Sequence, residues 1–559
     1  MPTIGASQNN SLASSLENAL FPQHGMCARA ERLAAGFASV LVALAVILGG
    51  TGAARPHAAA AANATITMAT VADPIFNLWA PNAFAESDVI DPLLFSGLTK
   101  WALNGQPQGD LATSWSVSAN KRVWTFTLRH GVRWQDGQPF TAQDVAYTFD
   151  AIALNKKLGS NKASNFTAVT TVRVVGPNTV QFVLNTPWSA LPSYLAWFAP
   201  ILPRHLFLGH NPWTLTSFDK QHPVGTGPYM LSKYVPGQSL TLTRNPTYFG
   251  AKPQIQTIIF EIIPQDTTQV SDLLSGNLNY IEVQSPQLLG PLQSNPNVAV
   301  QKVVQQDYYF VTLNTALPQF KDVRVRQALD DAIDKNGLIQ ALLKGNGQVA
   351  TGPIAPLQQA YYNPHVAHYP YNPQRALQLL AQAGYTKGRD GKLAKNGHPL
   401  TITLTAGQYG YLVPASELIQ RYWQQLGVTV NLHTIEWNAY IQQVVVKRDY
   451  EASFVWWIAP FDPDVYPYYS CSNAFVGDNI SNYCNPQLDS LMTQGRAVVA
   501  PAQRKRVYDR MQSLMAVQLP LLYMFYPQRF AAMSRTLHVP AVDYDIAIDN
   551  MADWTVSGS

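Results

Sequence analysis

The sequence predicts an α/β protein of several domains, and three observations carry this. The chain has 559 residues, 47% of them apolar and 13% charged. At about 150 residues per domain, that is material for roughly three to four folded units with sizeable cores, not for a disordered chain. Runs that alternate polar and apolar residues are interleaved with runs of helical period, and between residues 401 and 458 the order is strand, helix, strand, helix, strand. That order is the signature of parallel crossovers within one sheet.

Composition excludes several classes. The formal net charge is +4, from 38 Lys+Arg against 34 Asp+Glu, with no block of like charges. Nothing here resembles a nucleic-acid groove, so no nucleic-acid partner is expected. Three Cys exclude a disulfide-dense scaffold and a Cys-rich metal site. The 26 Tyr and 13 Trp are generous for a charge-poor chain and point to a ligand cleft.

Along the chain, Arg29 and Arg32 precede an apolar run from Leu33 to Gly50, followed by small residues in an Ala-x-Ala pattern from Ala58 to Ala62. This reads as a secretory signal cut near Ala60, with an uncleaved membrane anchor through residues 33–50 as the alternative. Residues 123–128 alternate, with Trp124, Phe126 and Leu128 on one face of a strand. Asp136-Gly137 makes a turn, and Thr141 with Asp144 starts a helix carrying Val145, Phe149 and Ile152. Val180 to Leu184 is a second strand. Gly225-Thr-Gly-Pro-Tyr229 is a tight turn leading to a strand at 240–243. Asp322 caps one long helix that Gly345 closes, and Asn372-Pro373 opens another that ends at Gly384.

The stretch 401–458 is the most informative. Ile402 and Leu404 mark a strand, Leu418 to Leu426 a helix ended by Gly427, and Val428, Val430 and Leu432 a second strand. Residues 437–447 read as a second helix, and Phe454 to Ile458 as a strand buried on both faces. Ligands of such sheets bind beyond the carboxyl ends of the strands, which selects the loop after Ile458. Trp456 and Trp457 alternate faces there, so one faces the cleft and the other the core.

No nucleophile elbow, phosphate loop or zinc-protease motif occurs. His365 and His368 stand in a proline-flanked loop, and Asp462 and Asp464 lie in an Asp-Pro-Asp loop that suits a plain turn. No catalytic residue, metal or cofactor is therefore expected, and the chain is not expected to be an enzyme. Export implies an oxidising compartment, which favours a disulfide between Cys471 and Cys484 over two free thiols.

Four segments in order resemble the family 5 solute-binding proteins of bacterial ABC importers, which include oligopeptide, dipeptide and nickel binding proteins. The first is Leu111-Ala-Thr-Ser-Trp115 continuing through Trp124–Arg129, Gly131, Asp136-Gly137 and Thr141–Val145. The second is Gly225–Tyr229 with Arg244-Asn-Pro-Thr-Tyr248. The third runs from Asn314-Thr315 through Phe320–Leu329 to Ala332-Ile-Asp334, and the fourth from Ala376 to Tyr385.

The resemblance implies a periplasmic-binding-protein-like α/β fold (class II, cluster C type), with two mixed-sheet lobes joined by a hinge plus an extra α/β domain. Domain I would comprise residues 61–99, 204–307 and 521–559, domain II 100–203, and domain III 308–520, after a signal or anchor over 1–60. It further implies a periplasmic monomer that captures a peptide or other small molecule and delivers it to ABC permease subunits served by a separate ATPase. In peptide binders of the family, the loop after the last strand resembles a Trp followed three residues later by an Asp that takes the peptide's ammonium. Here Trp457 matches the Trp, but the third residue on is Pro460. Asp462 and Asp464 stand as replacements, and Trp457-Ile-Ala-Pro-Phe-Asp-Pro463 looks more like the nickel-binding member's loop. The ligand-binding residues expected on this likeness are Trp457, Asp464, Asp462, Phe461, Trp456 and Tyr466, with Trp457 as the cleft-facing tryptophan. Metal chelates, opines and sugars are the alternative ligands, and a secreted hydrolase is the alternative class.

Overall fold

The computed structural model describes residues 64–557, except positions 78, 81–84, 161, 216–217, 219–221, 284, 304–306, 459–460, 475–477 and 543. The signal segment and the cut expected near Ala60 lie outside the described residues.

Three larger sheets organise the molecule. The first has seven strands in the order Val298–Val303, Arg529–Ser534, Tyr280–Val283, Ala64–Thr70, Ile255–Ile262, Ser239–Arg244, Tyr229–Val235. Ala64–Thr70 runs parallel to Ile255–Ile262 and to Tyr280–Val283, while Arg529–Ser534 is antiparallel to Tyr280–Val283. The second sheet has six strands: Gly347–Val349, Leu522–Pro527, Asp307–Leu313, Ala452–Ile458, Thr401–Gly407, Thr429–Ile435. Thr401–Gly407 is parallel to both Thr429–Ile435 and Ala452–Ile458, as expected for crossovers. The third sheet is antiparallel, with four strands between Ala112 and Leu184. One core fills the six-stranded sheet and its helices, and a second is shared by the four- and seven-stranded sheets.

Local signals placed most elements. Trp124, Phe126 and Leu128 are buried on the strand Val123–Leu128. Thr141 and Asp144 form the capping box of Ala142–Ala146. Asn372 caps Pro373–Gln382 through the Arg375 N–H, and Gly384 turns left-handed at φ +93°. Gly225 is required by a close approach, since a Cβ there would lie 1.8 Å from the carbonyl oxygen of Leu94.

Three expectations are corrected. The single helix after Asp322 is two helices, Val323–Asp331 and Lys335–Leu343. The Asp334 carboxylate accepts from the Gly337 N–H at 2.9 Å and so starts a second helix inside a continuous helical pattern. The helix expected over 437–447 has one α turn, Trp437–Tyr440, and then widens to a π-helix, Ile441–Val446. The strand Ala452–Ile458 is buried only as far as Val455; Trp456 and Trp457 are half-buried and Ile458 is exposed.

Arg324 and Arg326 divide as surface and bridge. Arg324 is exposed and pairs with Asp322, whereas Arg326 is buried and donates to the carbonyls of Phe320, Lys321, Gln518 and Leu519. Among the described residues no helix is long and apolar enough to cross a membrane.

Candidate functional site

The chain crosses between the seven- and six-stranded sheets twice, after Val303 and at Gln528. At these crossings Arg529 donates to Asp307 at 2.8 Å, and both side chains are nearly buried. The register of each sheet tells where this pair sits. Arg529 opens a strand antiparallel to Tyr280–Val283, so it lies beside that strand's carboxyl end. Asp307 pairs with Ile458, the last residue of Ala452–Ile458. The ion pair therefore joins the carboxyl ends of the parallel strands of both sheets, where such sheets bind ligands.

Aromatic rings gather on the six-stranded side. Tyr409 follows the strand Thr401–Gly407, Trp437 follows Thr429–Ile435, and Trp456 stands two residues before the end of Ala452–Ile458. Tyr409 stacks on Trp456 (centroids 5.3 Å, 6° between planes) and on Trp437 (4.8 Å, 28°), while Trp437 and Trp456 are 5.4 Å apart. Tyr309 extends the stack from Trp456 and places its hydroxyl 3.5 Å from the Arg529 guanidinium. Tyr409 remains 44% exposed, so the stack presents a ring to solvent. Gly407 makes this packing possible, because a Cβ there would lie 2.7 Å from the Tyr440 ring.

The seven-stranded side adds further charge at the strand ends. Glu282 lies opposite Ala531 in register, and Arg529, two residues from Ala531, shares its face. Asp266 follows Ile255–Ile262 and accepts from the Ser285 hydroxyl at 3.2 Å. Burial raises the Asp266 carboxyl, while the Ser285 bond and Arg529 oppose the shift. Burial also raises the Tyr411 phenol, with Arg529 lowering it and Asp266, Glu282 and Asp307 raising it further. Charged groups of both sheets thus lie within electrostatic reach of Tyr411.

The loop after Ile458 is differently occupied. Arg504 grips Asp462 in two bonds of 2.6 Å each, and Arg496 Nε donates to both carboxylate oxygens of Asp464 at 3.0 and 2.8 Å. Asp464 is fully buried and also accepts from the Trp188 indole N–H at 2.7 Å. Sequence reading expected Asp462 or Asp464 to meet a ligand's charge; in the structure each has an arginine partner. Tyr466 lies under the Arg496 guanidinium at 4.2 Å, and Phe461 packs against Trp101 at 4.7 Å. Trp457 faces away from Trp456, toward Phe310 and Tyr468. The structure joins Cys471 and Cys484 in a disulfide.

Sequence reading missed Tyr409, Trp437, Tyr411 and Arg529. The signal for the first three was available, since the rule that selected the loop after Ile458 applies equally to the ends of the other two parallel strands. Arg529 carried no local signal, because its place depends on a strand paired with Tyr280–Val283 far away in sequence.

The strand ends of two sheets thus face each other where the chain crosses twice between them. The model of the bacterial extracellular solute-binding proteins, family 5, matches residues 106–478, and the chain belongs to this family. The oligopeptide-binding protein AppA of Bacillus subtilis is 27% identical over 481 residues, covering 84% of this chain and 88% of its own. The nickel-binding periplasmic protein of Escherichia coli is 31% identical over 432 residues, covering 73% and 78%. The structure of AppA in complex with a nonapeptide superposes with a TM-score of 0.79 at 25% identity, over 89% of this chain and 100% of that one.

Proposed function

We propose that this chain is the substrate-binding component of an ABC importer, capturing peptides between the seven- and six-stranded sheets and handing them to membrane permease subunits served by a separate ATPase. The observation that carries the reading is the Arg529–Asp307 pair, which brings the carboxyl ends of both sheets to one crossing. Two crossings of this kind act as a hinge, and hinge closure buries a ligand between lobes. Peptides offer a constant backbone and variable side chains. A stacked aromatic wall beside wet, roomy space accepts both at low entropic cost. In this reading domain I is 61–99, 204–307 and 521–559, domain II is 100–203, and domain III is 308–520. The chain acts as an extracytoplasmic monomer, released from or anchored by its N-terminal segment, and performs no reaction.

The ring contacts favour Trp456, with Tyr409 and Trp437, as the ligand wall; in this reading Phe461 and Tyr466, in the loop past the end of the same strand, border it. A second reading, a metal chelate, opine or sugar, is favoured by the pairing of Asp462 and Asp464 with arginines, which leaves the loop without a carboxylate for a peptide ammonium. Native mass spectrometry of the gently purified chain, incubated with an Ala-X-Ala tripeptide mixture, separates the two. Retained tripeptide masses that Trp456→Ala abolishes support the first reading. A single metal- or chelator-containing mass supports the second, and a parent chain that retains no tripeptide refutes the peptide assignment.

A further inference from the structure

Asp464 sits where the loop after Ile458 meets the four-stranded sheet. Trp188 lies between the strand Thr179–Leu184 and the helix Leu191–Phe198, and its carbonyl accepts from the Trp124 indole N–H at 3.1 Å. Its ring is fully buried against Tyr194 (4.9 Å) and Phe166 (6.1 Å). From this fixed frame the Trp188 N–H reaches Asp464 Oδ2 at 2.7 Å, and the Tyr194 hydroxyl donates to the Asp464 carbonyl at 3.0 Å. Arg496 completes the junction, since its guanidinium covers the Trp188 ring at 5.2 Å and its carbonyl accepts the Ser189 N–H at 2.8 Å.

The same carboxylate shapes its own loop. Oδ1 accepts the Tyr466 N–H at 3.1 Å, and the Asp464 N–H donates to Asp462 Oδ1 at 3.0 Å. Each Asp464 oxygen therefore has one donor from its loop or from the four-stranded sheet, besides Arg496. A buried carboxylate that loses a donor must turn or draw in water. The turn would carry the Tyr466 N–H with it.

We propose that Trp188 is a positioning residue for the ligand-bordering segment 461–466: its indole N–H, held on the four-stranded sheet, fixes the Asp464 carboxylate, and the carboxylate fixes the turn that aims Phe461 and Tyr466. The proposal rests on the reading that this segment borders the ligand. It gives the four-stranded sheet a part in ligand capture, acting from a distance through the Trp188–Asp464 hydrogen bond, beside the Tyr194–Asp464 and Ser189–Arg496 bonds of the same junction.

The test uses the full chain with Trp188→Phe, which keeps an aromatic ring and removes the N–H, and with Tyr194→Phe, which removes only the hydroxyl. Hydrogen–deuterium exchange is followed in peptides covering 461–470 and 123–128, alongside retention of the Ala-X-Ala mixture. Loss of one hydrogen bond to a charged group corresponds to about tenfold or more in a local opening equilibrium. Trp188→Phe is expected to speed exchange over 461–470 by about that factor and to weaken tripeptide retention about tenfold, with exchange over 123–128 unchanged. Tyr194→Phe is expected to act in the same direction, more weakly. Unchanged exchange over 461–470, or equal acceleration over 123–128, overturns the proposal. A released loop with retention at the parent level overturns the placement of the loop at the ligand. A parent chain that retains no tripeptide overturns the peptide reading alone, and loop exchange then still decides the role of Trp188.

Discussion

Asp464→Ala separates a structural carboxylate from a ligand contact. In the fold, Asp464 is fully buried and its partner Arg496 has a side chain only 6% exposed. Removing the carboxylate leaves a buried guanidinium without its counter-charge and the Trp188 N–H without its acceptor. Breaking a buried pair from one side costs about 3–5 kcal/mol. With the six-stranded sheet and its helices as a cooperative unit of about 200 residues, the unfolding entropy is roughly 0.4 kcal/mol/K, so a loss of about 4 kcal/mol lowers the midpoint by about 10 °C. Calorimetry of the ligand-free chain should resolve this as a shift of one transition. Asp464→Asn keeps an acceptor for Trp188 and is expected to fall between the parent and the alanine variant. An unshifted midpoint in Asp464→Ala, together with lost ligand retention, would refute the reasoning and return Asp464 to the ligand.

Reducing Cys471–Cys484, or replacing both by Ser, is expected to remove about 3 kcal/mol by the loop-entropy argument, read as a lower midpoint with reductant in the parent and no reductant effect in the variant. Burial raises Asp549 from 3.8 to about 7 and Asp110 to about 6. Over that interval the unfolded chain releases protons that the fold still holds, so these groups make stability fall as pH rises from about 4 to 7. Asp549→Asn should therefore match the parent near pH 4 and exceed it by a margin that grows up to about pH 7; a margin independent of pH would contradict this. Gly225→Ala would force a Cβ against the Leu94 carbonyl and is expected to cost about 3 kcal/mol or more, whereas Gly290→Ala meets nothing within 4 Å inside a helix and should gain up to about 1 kcal/mol, both measurable by thermal melts.

The range of an interaction decides whether the sequence reveals it. The capping box at Thr141–Asp144, the Asn372 cap and the Gly384 stop are settled within a few residues, and each was readable. So was the parallel order over 401–458, because it needs only period and sequence. The break at Asp334 was local too, but a helical pattern on both sides concealed the cap. The partners of the two loop carboxylates were not readable. Arg496 and Arg504 lie 32 and 42 residues from their acids, and Trp188 lies 276 residues from Asp464. An acidic residue in a loop reads the same whether it awaits a ligand or is already matched, and only the distant partner distinguishes the two.

The adjacent tryptophans show the same limit at the shortest range. Family likeness selects Trp457, by position within a motif. Strand geometry permits only one of the pair on each face, and Tyr309 opposite Trp456 decides which face carries Arg529 and the exposed Tyr409 ring. Trp457 instead turns to Phe310 and Tyr468, on the face where Tyr308, Tyr469 and Tyr523 are linked through their buried hydroxyls. A motif fixes the residue type at a strand end. The ring that can meet a ligand is fixed by cross-strand neighbours and by the residues just past the adjacent strands, here Tyr409 and Trp437. In the proposed reading the wall of the cleft is thus a property of the six-stranded sheet, assembled from three strand ends of which the loop after Ile458 is only one.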